Sequence, residues 1–237
     1  QVATAVRDEY PGSLQARFIE SLFPWVPLDY DVLPFRSRAN FIGGAVRMSA
    51  INTWAVDLVS PFNFRAKWTY GRPRPEEVAY LISTGAIHKD SVPDDLYTAV
   101  MTLRDDYGAM TAEQFTAYPE GSPRHPSYPA MHSAASSSSF WMSIVMDLDE
   151  ETFCQALLTD YTVAFARTVA GVHYRSDNIA GLNLGQAVVA EYLADHLVDR
   201  YGANREVVEE KIAAHRFDWQ DFDPFTCTIN PPERRRS

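Results

Sequence analysis

The chain has 237 residues, 46% of them hydrophobic, and carries a formal net charge of -10. That length and apolar content can bury one substantial core, so a single main domain is the default. The acidic balance argues against a nucleic-acid surface, and no apolar run reaches the roughly 18 residues that a membrane span needs.

Few runs of alternating β-branched residues and many long stretches of helical periodicity predict an all-α chain. Residues 1–35, with Pro11, Pro24, Pro27 and Pro34, read as a wrapping arm with one short helix. A helical-bundle domain over 36–216 and a Pro-rich tail over 217–237 follow. From Arg38 to Leu58, Phe41, Val46, Met48, Ile51, Trp54, Ala55 and Leu58 recur at helical spacing, and Ser60-Pro61 is expected to start a new turn. Lys67–Pro75 reads as a helix end running into an extended turn, because Pro73 and Pro75 break it. Short helices follow at Glu76–Ser83 and Asp94–Tyr107. Pro119, Pro123, Pro126 and Pro129 mark an irregular loop that delivers His132 to the start of a helix over Met131–Leu148. The small residues from Ser133 to Ser139 let a neighbouring backbone approach that helix closely. Glu150–Ala170 is a helix with Phe153, Leu157, Tyr161, Ala164, Phe165 and Val169 on one side, ended by Gly171. Ser176 is the expected N-cap of a long helix to Tyr201. A last amphipathic helix covers Arg205–His215, and Arg234-Arg235-Arg236 reads as a solvated end of the tail.

Two cysteines make no disulfide framework. Cys154 falls in a helical apolar pattern and is expected in the core, whereas Cys227 is a candidate for pairing between chains. The redox compartment and the cellular address stay open. The opening at Gln1 rather than Met is read as a processed or trimmed product.

Three separated stretches place cations and histidines where a bound oxyanion wants them: Lys67 with Arg74-Pro75, Pro129 with His132, and Arg167 with His173 and Asp177. Such an anion needs several fixed donors around its oxygens, one group on its axis, and a proton carrier opposite. Lys67, Arg74 and Arg167 can form the cage, with His173 on the axis and His132 as acid or base. His132 at a helix N-terminus lies where first-turn N–H groups favour an anion. With its helix stopped at Gly171, the chain can turn His173 back toward Arg167, and Asp177 can hold the other imidazole nitrogen. Taken singly, each stretch has a plain alternative: a solvated basic turn, a packed histidine behind a proline, or a helix-terminal arginine beside a core histidine.

Together and in this order, the three resemble the signature shared by vanadium-dependent haloperoxidases and the type-2 acid phosphatases: K-x6-R-P, P-S-G-H, and S-R-x5-H-x3-D. Lys67–Pro75 matches the first element fully. Arg167, His173 and Asp177 match the third, with Ala166 where serine is usual. In the second, Pro129 and His132 match, but Ala130 and Met131 replace Ser and Gly. The resemblance implies a helical bundle of the acid phosphatase/haloperoxidase type. His125, seven residues before His132, resembles the bromoperoxidase-like branch and implies bromide or iodide oxidation. Vanadate would be bonded through His173 and held by Lys67, Arg74, Met131, His132 and Arg167. His132 would handle the proton of hydrogen peroxide, Lys67 would polarise the peroxide, Asp177 would orient His173, and a small organic acceptor would be halogenated. The substitutions put halide range in question: Ala130 removes a hydroxyl that bonds vanadate in the family, about 1.5–3 kcal/mol, and Met131 adds an oxidisable thioether. The chain is short for that branch, so either the fold is minimal and completed by a partner chain, with a homo-oligomer the favoured expectation, or the chain is part of a larger product. Two other readings stay open, a phosphomonoesterase with His173 as nucleophile and a degenerate oxyanion binder.

Overall fold

The computed structural model describes Val32 and residues 41–118 and 121–229. The expected arm over 1–35, Val32 apart, Pro119 and the Arg234–Arg236 run lie outside the described residues. The fold is all-α. Among the described residues the α-helices are α1 (Phe41–Tyr70), α2 (Pro75–Ser83), α3 (Asp94–Asp105), α4 (Met131–Ala135), α5 (Ser138–Val145), α6 (Glu150–Val169), α7 (Arg175–Tyr201) and α8 (Arg205–His215). A two-stranded antiparallel hairpin, β1 (Phe222–Asp223) and β2 (Thr228–Ile229), closes the described chain.

Helix α7 runs through the middle of the bundle, packing against α1, α4, α5, α6 and α8. Its Leu182, Val189, Leu193 and Leu197 are buried, and most of them join Met48, Ile51 and Val59 of α1 and Trp141, Ile144 and Val145 of α5 in the main core. A second cluster joins Leu157 and Ala164 of α6 and Leu182 of α7 to Trp219 and Phe222. A third lies beneath α2 and α3.

Four local expectations need correction. Pro61 does not open a new helix; it sits inside α1. The buried stripe Met48, Ile51, Ala55, Val59, Asn63 and Lys67 runs through it without a break. Continuous packing therefore outweighs the roughly 3 kcal/mol that an interior proline costs. The expected helix over 131–148 is broken at Ser136–Ser137. There Ser136 Oγ donates to the Ser133 carbonyl (3.1 Å), and Asp160 on α6 accepts from Ser138 Oγ (3.0 Å) and Ser139 N (2.9 Å), acting as a cap supplied from another helix. On the apolar faces, Val46, Phe165 and Val169 are exposed rather than buried.

The last correction concerns the C-terminal segment. It is no free tail as far as Ile229: Trp219 and Phe222 are buried, and Cys154 is disulfide-bonded to Cys227 within the chain rather than across chains. Phe217 N and carbonyl are held by Gln186, and Trp219 N donates to Asn183 Oδ1 (3.0 Å), so α7 organises this segment too.

Candidate active site

The small-residue stretch of α4 meets glycines of α7. A Cβ at Gly181 would collide with the Ala130 carbonyl and lie 2.8 Å from Ser133 Cβ; one at Gly185 would collide with the Ala134 carbonyl. This close approach seats the second motif on the third. Ala130 N donates to the Asp177 carbonyl (2.9 Å), and Ser133 Oγ donates to Asn178 Oδ1 (3.0 Å).

The first motif is drawn in by its own side chains. Lys67, the last-turn cation of α1, is fully buried, and Nζ donates to the carbonyls of Pro126 (2.9 Å) and Ser127 (3.0 Å). Ser127 N returns a bond to the Arg72 carbonyl (2.9 Å). Arg74 caps α2 and is buried, with Nε on the His125 carbonyl (2.9 Å) and Nη1 on the Val172 carbonyl (3.0 Å). One lysine and one arginine thus clamp the proline loop, whose Tyr128–Pro129 bond is cis, against the third motif.

The third motif turns as expected. Gly171 has φ +75°, a left-handed conformation that costs glycine least, and Val172 N donates to the Arg167 carbonyl (3.2 Å). His173 is buried, with Nδ1 3.3 Å from Asp177 Oδ2. The N-cap is Tyr174 rather than Ser176. Asp177 Oδ2 takes the Tyr174 N–H (3.0 Å), a capping role that one residue serves together with orienting the histidine. Buried Arg167 donates to the Tyr118 hydroxyl, with its guanidinium carbon 5.0 Å from that ring's centre.

Electrostatics show that Lys67, Arg74, Arg167, His132 and His173 share one region. Burial, then Arg74 and Arg167, lowers the Lys67 ammonium to about 7, against an opposing pull from Asp177. Burial lowers Arg74 as well, and Arg167 adds to this while Glu76 opposes it. His132 is lowered to about 3 by burial, Arg167, His173, Arg74 and Lys67. His173 falls to about 4 by burial and by the three cations, although Asp177 pulls it upward. Burial pushes the Asp177 carboxyl up, but hydrogen bonds from His173 and Tyr174 outweigh it and leave the group below its ordinary value. His125 is lowered by burial and further by Lys67 and Arg74. The helix dipole has little part in this: α4 has only five residues, and the stated causes at His132 are burial and neighbouring charge.

Seven of the eight expected site residues therefore lie together. His125 joins through its ring nitrogen, 3.2 Å from Arg74 Nη2, and packs edge-on against Phe64 with centroids 5.2 Å apart. Met131 begins α4 and is partly exposed. Sequence reasoning missed Arg72, whose Nη1 donates to Asp177 Oδ1 and to Ser176 Oγ (both 2.8 Å) and which lies 4.2 Å over the Tyr174 ring. It also missed Tyr118. A basic residue two before Arg74 was the only available signal for the first; none marked the second.

The donor set suits a tetrahedral oxyanion. Several cationic groups are buried where they depress one another's protonation, a cost that a bound anion would reverse. His173 is neutral with Nδ1 engaged, so Nε2 is the nitrogen left for a ligand bond. Residues 45–198 match the PAP2 superfamily, and the chain belongs to that superfamily, which includes vanadium haloperoxidases and phosphatases. No curated protein and no solved structure matches the chain. Among the described residues, no helix is long and apolar enough to cross a membrane.

Proposed function

We propose that this chain is a vanadate-dependent haloperoxidase that oxidises bromide or iodide with hydrogen peroxide to a hypohalous-acid equivalent, which halogenates small organic acceptors. The observation that carries the reading is the buried nest of Lys67, Arg74 and Arg167 around a neutral His173. Vanadate, when bound, supplies a Lewis-acid centre that activates peroxide without changing its own oxidation state. Lys67, Arg74 and Arg167 hold its oxygens through charge-assisted bonds. His173 offers Nε2, and Asp177 at Nδ1 keeps the ring oriented and in the required tautomer. His132 is neutral in the free protein, and an anion bound among the same cations would raise its proton affinity toward the range a general base for the peroxide proton needs. His125, tied to Arg74 at the edge of the nest, is the residue assigned to halide preference.

Orthovanadate-reconstituted protein assayed with peroxide and bromide or iodide, beside a generic phosphomonoester, tests the reading. Vanadate-dependent halide oxidation is expected, and His173→Ala abolishes it. Exchange of His125 shifts halide preference with vanadate still bound. Halide oxidation that persists without vanadate, or phosphomonoester hydrolysis alone, overturns the assignment.

A further inference from the structure

Arg72 stands between Lys67 and Arg74 in the turn that joins α1 to α2. Gly71 before it has φ +60°, and Pro73 after it keeps Arg72 out of helical backbone. Its carbonyl is tied to the proline loop, accepting from Ser127 N (2.9 Å) and Ser127 Oγ (3.4 Å). The side chain therefore leaves from a fixed point, and it reaches the third motif 105 residues further on. There three groups hold the guanidinium. Nη1 donates to Asp177 Oδ1 and Ser176 Oγ (both 2.8 Å), and the guanidinium carbon lies 4.2 Å over the Tyr174 ring.

An ion pair with a half-exposed arginine usually contributes little. This one differs in its acceptor, because the Asp177 side chain is fully buried. A buried carboxylate oxygen needs a donor. Arg72 supplies the one at Oδ1, while Oδ2 serves His173 Nδ1 (3.3 Å) and the Tyr174 N–H (3.0 Å). The two oxygens are chemically equivalent, so a carboxylate released at Oδ1 is free to turn and loosen its hold on the imidazole. We infer that Arg72 is a positioning residue: by pinning Oδ1 it keeps Oδ2 on His173 Nδ1, so that the ring proton stays on Nδ1 and Nε2 stays bare for a bond to an oxyanion centre. Its charge is matched by Asp177, so its influence on a bound anion passes through the ring rather than through the cage of cations. The identity of that anion rests on the proposed function, whereas control of the ring does not.

Two measurements test this. Nitrogen-15 NMR of the anion-free protein near neutral pH reads which ring nitrogen of His173 carries the proton. Wild type should show it on Nδ1, and Arg72→Gln should shift part of the population to Nε2. Calorimetric titration with two anions reads the consequence, since orthovanadate can take a bond from Nε2 and sulfate cannot. Arg72→Gln should weaken orthovanadate at least about tenfold, the scale seen when a group orienting a histidine ligand is lost. Sulfate should weaken by less than about threefold. Arg72→Lys, which keeps the charge and a donor for Oδ1, should recover much of the orthovanadate affinity. Should Arg72→Gln fail to fold, Tyr174→Leu removes the ring under the guanidinium and should move both readouts the same way, with a smaller loss for orthovanadate. An unchanged tautomer, or equal losses for the two anions, overturns the inference. Wild type that binds no orthovanadate sinks the haloperoxidase reading, and the tautomer comparison still decides the role of Arg72.

Discussion

The buried lysine should make oxyanion binding by the proposed nest depend on pH. In the free protein Lys67 titrates at about 7, held down first by burial and then by Arg74 and Arg167. An oxyanion about 4 Å from Nζ is worth about 4 kcal/mol per charge at an effective dielectric of about 20, and each pKa unit is about 1.4 kcal/mol. Binding should therefore lift the lysine by about three units. Between pH 7 and roughly 10 the free protein must take up a proton to bind, so affinity falls about tenfold per pH unit. Sulfate is the suitable probe because its charge is constant over this range. Calorimetric titration should give a dissociation constant nearly flat from pH 6 to 7 and about a hundredfold weaker at pH 9. Lys67→Gln should bind weakly with no slope, and Lys67→Arg, charged throughout, should also lose the slope. A wild-type affinity equal at pH 6 and pH 9, or a slope that survives Lys67→Gln, would refute both the placement of Lys67 and the reasoning from its burial.

Gly181→Ala should destabilise the fold by about 1–3 kcal/mol, because its Cβ meets the Ala130 carbonyl and Ser133; urea unfolding measures this, and an unchanged midpoint means α4 can move away freely. Reducing the Cys154–Cys227 bond, or Cys227→Ser, should cost about 2–4 kcal/mol, since it ties residues 73 apart in sequence and anchors the segment carrying Trp219 and Phe222; thermal melts with and without reductant check it. His132 and His173 have folded pKa values of about 3 and about 4, below the ordinary 6.5. As pH falls from about 6.5 toward those values the unfolded chain binds protons first, so stability is lost through that window and Tm should drop. His132→Gln should flatten the drop, and a wild-type Tm constant from pH 7 to 4 would contradict the two shifts.

What was legible in the chain was whatever depended on local spacing. Lys67 to Arg74 spans one helix end and one proline turn, and Arg167, His173 and Asp177 span one glycine stop and one helix start. Each geometry follows from breakers printed beside the functional residue. Arg72 and Tyr118 escaped because their partners, Asp177 and Arg167, lie 105 and 49 residues away and no spacing encodes such a pair. The break between α4 and α5 was hidden for a similar reason, since the carboxylate that caps α5 comes from Asp160 on α6. The C-terminal segment could have been read better. Phe217, Trp219 and Phe222 supply an apolar face that a solvated tail has no use for, and with Cys227 beyond them they signal a segment folded back on the bundle.

Asp177 explains how three distant motifs become one site. Its carbonyl holds Ala130 of the second motif, Oδ1 holds Arg72 beside the first, and Oδ2 holds the Tyr174 N–H and His173 of the third. The same carboxylate is fully buried and opposes the depression of Lys67. Its direct ion pair is with Arg72, and with buried Glu76 beside Arg74 it only partly offsets Lys67, Arg74 and Arg167. In a chain of net charge -10, acidic groups were abundant enough to complete the neutralisation. Three buried basic side chains instead share the region of a neutral imidazole whose Nδ1 faces Asp177, so a positive excess is left there for an anion to offset. An anion bound beside His173 would thereby also relieve an electrostatic cost of folding this bundle.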